Sequence, residues 1–464
     1  MAGRSKGIDF DGLKTAVDGA RLERVCGRVV EVVGTLAEAE LPGAVIGGLC
    51  MIGESTLCEV VGFREKRALL MPLDSLQGVS YGSPVSTVEG SIRVTVGSEL
   101  IGRILDGLGR PMDDGPAIRT NEHRRVERMA DDPLKRSLID EPLQTGIRVL
   151  DGMLTVGKGQ RIAIMAGSGV GKSTIMGMLA RHVRADVNVI CLVGERGREV
   201  REFIERDLGP EGLARSVMIV ITSDRSPVLQ VKGAFVATSI AEYFRDQGKD
   251  VLLMMDSLTR FAMAQRQIGL SSGEPPTTKG YTPSVFSLLP KLLERAGPGT
   301  NGGSITGVYT VLVEGDDMND PIGDAVRGIV DGHIVLSRKL ASHGHYPAVD
   351  VLESLSRVMV NVTADDHQGH ALKIRQLMAV WSENEELIRL GAYRKGSSVE
   401  VDESIHKRNA LESFLCQGVK ESTQFDETVA LMRQFSSKYP PPESLNQGQS
   451  PVKGKGPSSK IQFR

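Results

Sequence analysis

A chain of 464 residues corresponds to roughly three domains of about 150 residues each, enough to bury several cores without a metal or disulfide staple. With 40% apolar, 25% charged and 4% aromatic residues it reads as an ordinary α/β protein, and a net charge of −2 excludes a surface that is basic throughout, leaving room only for a local basic groove. Five scattered cysteines (Cys26, Cys50, Cys58, Cys191, Cys416) form no Cys-x-x-Cys, which argues against a structural zinc site or a secreted disulfide framework and fits a reducing cytosol.

The N-terminus carries charge with no apolar run behind it, unlike a secretory signal. Over residues 1–20 only Phe10, Leu13 and Val17 keep a helical spacing, and Gly12 weakens it; the segment reads as partner-binding or disordered. From about Arg24 to Val96 short runs such as Arg28–Val33, Cys58–Phe63 and Ala68–Pro72 are broken by Gly and Pro, the texture of a small barrel or sandwich. Gly102 to Pro116 is a Gly/Asp/Pro-rich connector. Then Arg161–Met165, Val187–Val193, Val217–Ile221 and Val251–Met255 are short, almost wholly apolar runs separated by helix-like segments, the pattern of a parallel sheet buried on both faces. From about Glu353 to Phe435 the chain turns helical, with Ile374, Leu377, Met378, Trp381 and Ile388 on one stripe that Glu385 interrupts. After Tyr439 a triple proline leads into a Ser/Gly/Lys-rich tail that cannot build a core. No run approaches the roughly 18 consecutive apolar residues of a membrane span.

Ala166-Gly167-Ser168-Gly169-Val170-Gly171-Lys172-Ser173 directly follows the Arg161–Met165 run and precedes a helical stretch beginning at Thr174. This is the phosphate-loop pattern with Ala in its first position. Its glycines let successive N–H groups point at phosphate oxygens, and the following helix adds its positive end. Lys172 supplies a mobile cation, and the Ser173 hydroxyl a ligand for Mg²⁺. Asp256, at the end of an apolar run, reads as the second magnesium ligand or as a helix N-cap. Glu195, directly after Val187–Val193, reads as a water-orienting carboxylate or as part of a solvated charged turn. His343-Gly344-His345 lacks further ligands at metal-site spacing and reads as a loop.

Further segments stand in a fixed order with these: Thr145–Asp151, Gly194–Val200, Met255–Ala262, Gly273–Pro276 with Lys279–Tyr281, Tyr346–Asp350 and Ser354–Arg357. Over about residues 24–435 the chain resembles the rotary-type hexameric ATPases that include the ATP synthase β subunit, and most closely their protein-export branch, the flagellar and type III secretion ATPases. Asp256–Arg260 with Ala264-Gln265-Arg266 carries the export likeness, and no run like the synthase's Asp-Glu-Leu-Ser-Glu-Glu-Asp lever is present.

The resemblance implies a RecA-like parallel-sheet core with a small N-terminal β-barrel and a C-terminal helical domain. The expected domains are the barrel at 21–98, the ATPase at 99–350, the helices at 351–438 and a disordered tail at 439–464. It implies ATP binding by residues 166 to 174, with adenine packed on Tyr346. Lys172, Glu195 as water-activating carboxylate and Arg196 beside it are the expected catalytic groups. Arg357 is expected to reach a neighbour's γ-phosphate, a contribution of about 10³–10⁵ in rate in related chemistry. Mg²⁺ is expected on Ser173 and Asp256. The implied partners are identical copies in a hexamer, regulatory and stalk-like export proteins, and chaperone–substrate complexes. The implied location is the cytoplasm, peripheral to an inner-membrane export gate. A flagellar system is favoured over a virulence one, with a synthase-type subunit as an alternative. A hexameric nucleic-acid translocase is the less favoured alternative, because the N-terminal region lacks the interleaved aromatic and basic residues that stack bases.

Overall fold

The computed structural model describes residues 26–437 and Tyr439, apart from positions 89, 314, 316, 318 and 319. The expectations for residues 1–20 and for the tail beyond Tyr439 lie outside the described residues. The chain divides into two compact units, one of 1–138, 159–163 and 185–330, the other of 139–158, 164–184 and 331–464.

In the first unit, β1 (Cys26–Val33), β2 (Leu36–Glu40), β3 (Leu49–Ile52), β4 (Thr56–Arg64), β5 (Arg67–Pro72) and β6 (Pro84–Val88) close into a barrel in the order β1-β2-β5-β4-β3-β6. Along β4 burial alternates from Cys58 to Gly62, so one side of the strand fills the barrel with Cys58 and Val60. Cys50 and Cys58 face each other across β3 and β4, fully buried. The hydrogen bond to Cys50 and burial push the Cys58 thiol up, so it packs as a small hydrophobe.

After the barrel, β7 (Arg93–Thr95) pairs with β9 (His123–Arg125), and between them β8 (Ile104–Leu105) joins the edge of the central sheet. The Gly/Asp/Pro-rich stretch expected to be a connector thus contains a sheet strand. It is pinned by the Asp113 carboxylate, which accepts from the Arg103 Nε at 2.9 Å and from the Ile104 N–H at 2.7 Å.

The longer strands are β10 (Arg161–Ala166), β11 (Val187–Glu195), β12 (Ser216–Thr222), β13 (Asp250–Asp256), β14 (Ser304–Leu312), β15 (Gly332–Leu336) and β16 (Val349–Ser356). The helices of eleven residues or more are α1 (Lys172–His182), α2 (Pro227–Asp246), α3 (Leu258–Ser272), α4 (Pro283–Leu293), α5 (Asp365–Arg389), α6 (Val399–Leu415) and α7 (Phe425–Ser436). Within the first unit, β14-β13-β11-β12-β8 form a parallel sheet, and its strand interiors are buried on both faces, as all-apolar runs require.

The second unit holds the end of β10, α1, the antiparallel pair β15 and β16, and α5 to α7. Strand β16 runs across the expected boundary at 350. On α5, Ile374 and Leu377 are buried. Trp381 lies under the Arg408 guanidinium, 4.9 Å from the ring centre. Glu385 accepts from the Lys339 Nζ at 2.8 Å, which accounts for the charge in the apolar stripe.

Candidate active site

Strand β10 is buried from Ile162 to Ala166 and ends at the phosphate loop. Gly169 and Gly171 take φ values of 78° and 97°, a left-handed geometry that a side chain would strain. Val170, 1% exposed, anchors the loop from below, while Ser168, Gly169 and Ser173 are exposed. Helix α1 starts at Lys172, and its first backbone bond runs from the Ile175 N–H to the Gly171 carbonyl at 3.0 Å. The remaining N–H groups of the first turn have no intrahelical acceptor, so the loop and helix start form an anion cradle.

Tyr346 belongs to the same unit. Its ring lies against the loop: a Cβ on Gly171 would stand 3.6 Å from the Tyr346 Cε1. Tyr346 is 42% exposed, and its backbone carbonyl accepts from the Gln417 N–H at 2.8 Å. An aromatic face that touches a phosphate loop and is open to solvent suits a purine base. Arg357, just past β16, is exposed, and its N–H donates to the Asp331 carbonyl at 3.0 Å.

In the first unit, Glu195 and Asp256 end two neighbouring parallel strands, with Leu192 of β11 directly opposite Asp256. Both therefore lie at the carboxyl edge of the sheet, where ligands of such folds bind. Asp256 is 5% exposed, and its Oδ1 accepts from the Thr310 hydroxyl at 2.7 Å. Burial and the nearby Asp256 charge push the Cys191 thiol up. The N-cap of α3 is Ser257, whose Oγ accepts from the Arg260 N–H, so Asp256 is not the cap.

The Glu195 carbonyl accepts from the Ser223 N–H at 3.0 Å, and the ladder shifts register just before it, at Gly194 with φ 68°. Arg196 points away into solvent, 77% exposed, 3.5 Å from Glu199. Sequence reasoning gave Arg260 no role. Its side chain packs on Gly194, where an added Cβ would lie 3.0 Å from the Arg260 Cβ. Its buried Nε has no hydrogen-bond partner among the described residues. The only sequence sign was an arginine four residues after the strand-end acid.

The Thr145–Asp151 segment is structural. Asp151, fully buried, accepts from the Thr145 N–H and hydroxyl and from the Gly146 N–H. Arg148 donates through its Nε to the Phe414 carbonyl at 2.9 Å and through its backbone to the Gln417 Oε1 at 2.8 Å. Gln417 in turn donates to the Gly146 carbonyl at 2.8 Å, locking the loop to the C-terminal helices of its unit.

Residues 146–356 match the model of the ATP synthase alpha/beta family, nucleotide-binding domain; residues 23–88 match the beta-barrel domain of that family. Residues 363–434 match the T3SS EscN ATPase C-terminal domain. The chain is 52% identical over 412 residues to the flagellum-specific ATP synthase of Bacillus subtilis, covering 88% of this chain and 94% of that one. It is 51% identical over 411 residues to the type 3 secretion system ATPase of Xanthomonas euvesicatoria, covering 88% and 93%. Among solved structures it resembles the assembled ATPase EscN of the enteropathogenic E. coli type III secretion system, with a TM-score of 0.85 at 46% identity, covering 89% of this chain and 100% of that one. The phosphate loop, the strand-end acids and these likenesses agree: the chain belongs to the ATP synthase alpha/beta family, in its branch of flagellar and type III secretion ATPases, and is an ATP-hydrolysing P-loop enzyme.

Proposed function

We propose that identical copies of this chain form a ring that hydrolyses ATP to energise protein export by a flagellar type III apparatus. The observation that carries the reading is the exposed phosphate loop with the half-exposed Tyr346 ring against its Gly171. In this reading residues 166 to 174 bind the phosphates and Tyr346 the adenine. Lys172 balances charge on the β and γ phosphates, Glu195 orients and deprotonates the attacking water, and Arg260 contributes a guanidinium beside it. Arg196 stays solvent-facing and makes the smaller contribution of the expected catalytic set. Arg357 acts in trans, which its exposure permits.

The Ser173 hydroxyl and the Asp256 carboxylate are the hard oxygen donors that Mg²⁺ takes, and the ion supplies charge neutralisation on the phosphates when bound. The hexamer reading is supported by the assembled form in which EscN was solved, and the stalk-like partner by the EscN structure in complex with its central stalk EscO. Export chaperones with their cargo and a membrane gate complete the set of proposed partners. No helix among the described residues is long and apolar enough to cross a membrane, which suits a peripheral location. Several relatives are named flagellum-specific ATP synthases, and these favour a flagellar system.

The test is turnover per chain against protein concentration with Mg²⁺ and ATP. A ring predicts a rise as oligomers form and its loss in Lys172→Ala; constant turnover at monomeric mass contradicts it.

A further inference from the structure

Strand β14 is buried from Ser304 to Val311, so each hydroxyl it carries needs a partner inside the protein. Two of them tie down the start of the strand: the Ser304 Oγ donates to Asp250 at 2.7 Å, and the Thr306 Oγ1 accepts from the Gly159 N–H at 2.9 Å. The third, Thr310, has no exposed surface and stands near the other end. Met255 of β13 pairs with Tyr309, so Asp256 and Thr310 lie level one residue on, at the carboxyl edge of the sheet.

The Thr310 hydroxyl has two acceptors within reach. The Met255 carbonyl stands at 3.5 Å, the limit of a hydrogen bond, and the Asp256 Oδ1 at 2.7 Å. One O–H proton serves one acceptor well, and the short contact to a carboxylate takes it. The two strand ends are also tied through the helix that follows Asp256. The Leu312 N–H of β14 donates at 2.8 Å to the Oγ1 of Thr259, which lies in the first turn of α3. An aspartate turns about its two side-chain bonds, and tethering one oxygen to a fixed strand sets the plane of the carboxylate and the direction of the other oxygen.

We propose, resting on the reading of Asp256 as a magnesium ligand, that Thr310 is a positioning residue for that ion: its hydroxyl holds Asp256 in the orientation that meets Mg²⁺. Removing the hydrogen-bond partner of a metal-binding carboxylate costs about 10–100-fold in metal affinity. Nucleotide binding without the metal falls to the phosphate loop and is indifferent to Thr310. A hydroxyl that served only to complete the sheet would change stability when removed and leave the effect of the metal alone.

Calorimetry of ADP binding to the full chain, once with Mg²⁺ and once with EDTA, reads the difference, because the ratio of the two affinities is the gain due to the ion. Thr310→Val keeps the shape and drops the hydroxyl. Its gain should shrink about tenfold while its affinity in EDTA stays within about twofold of wild type. Thr310→Ala should behave in the same way, and Thr310→Ser, which keeps the O–H, should hold the wild-type gain. Asp256→Asn separates the positioning role from the reading beneath it. A gain lost in Asp256→Asn but intact in Thr310→Val and Thr310→Ala overturns the positioning role and leaves the magnesium reading standing. An intact gain in Asp256→Asn overturns both. Affinity lost by the same factor in EDTA as in Mg²⁺, or a Thr310→Ser protein that behaves as Thr310→Val, would make Thr310 a structural residue and also overturns the proposal.

Discussion

The Tyr346 ring rests on the one loop glycine that also caps a helix: Gly171 takes φ 97° at the N-cap of α1, and the space its missing Cβ leaves is bounded by the Tyr346 ring at 3.6 Å. A base stacked on that ring and a phosphate in the loop would be held by two segments in contact, the loop and the stretch that carries Tyr346. Tyr346→Ala should raise KM for ATP about tenfold, since stacking on an aromatic side chain is worth about 1–3 kcal/mol per base, with kcat nearly unchanged. Tyr346→Phe should restore KM. Steady-state kinetics on the two variants check this, and a fall in kcat without a change in KM contradicts it.

Glu195→Gln keeps the shape of the strand end and removes the base. Turnover should fall by about 10²–10⁴-fold, the usual reach of a general base, while ATP binding measured by calorimetry stays within a few-fold of wild type. Loss of binding along with turnover would make Glu195 a structural residue.

Burial pushes the Asp151 carboxyl up from 3.8 to about 6, against the pull of the hydrogen bonds from Thr145 and Gly146. A carboxyl raised by folding stabilises most when protonated, so its contribution is complete below about pH 4 and lost as pH rises through about 6. Relative to Asp151→Asn, the wild type should lose about 2 kcal/mol of unfolding free energy between pH 4 and pH 7. Urea denaturation across that range reads the difference, and a constant gap between the two proteins contradicts it.

Arg295, with no exposed surface, is paired through two hydrogen bonds of 2.8 Å with Glu242, itself 2% exposed. Glu242→Ala leaves the guanidinium buried without its carboxylate and should cost about 3–5 kcal/mol in urea denaturation. A loss below about 1 kcal/mol, the worth of a surface pair, would contradict the buried assignment.

The sheet and the loop were legible because their residues have few alternatives. An apolar run ending in glycines and Lys172 fits one turn, and β11 and β13 are apolar throughout because both faces are covered. Asp256 was ambiguous in sequence because an acid before a helix is also a common cap. The Ser257 Oγ on the Arg260 N–H removes the cap reading. Strand β8 escaped because two residues carry no periodicity; it exists by pairing with Met218 and Ile219. Arg260 escaped because its place depends on Gly194, 66 positions earlier, lacking a side chain.

The central claim is that each site is completed by the arginine of the next copy. Lys172→Ala and Arg357→Ala, each inactive alone, should regain about a quarter of wild-type turnover when mixed in equal amounts, because in a head-to-tail ring one interface in four joins an intact loop to an intact arginine. A mixture as inactive as its components, or an Arg357→Ala protein that alone turns over at the wild-type rate, would contradict the account.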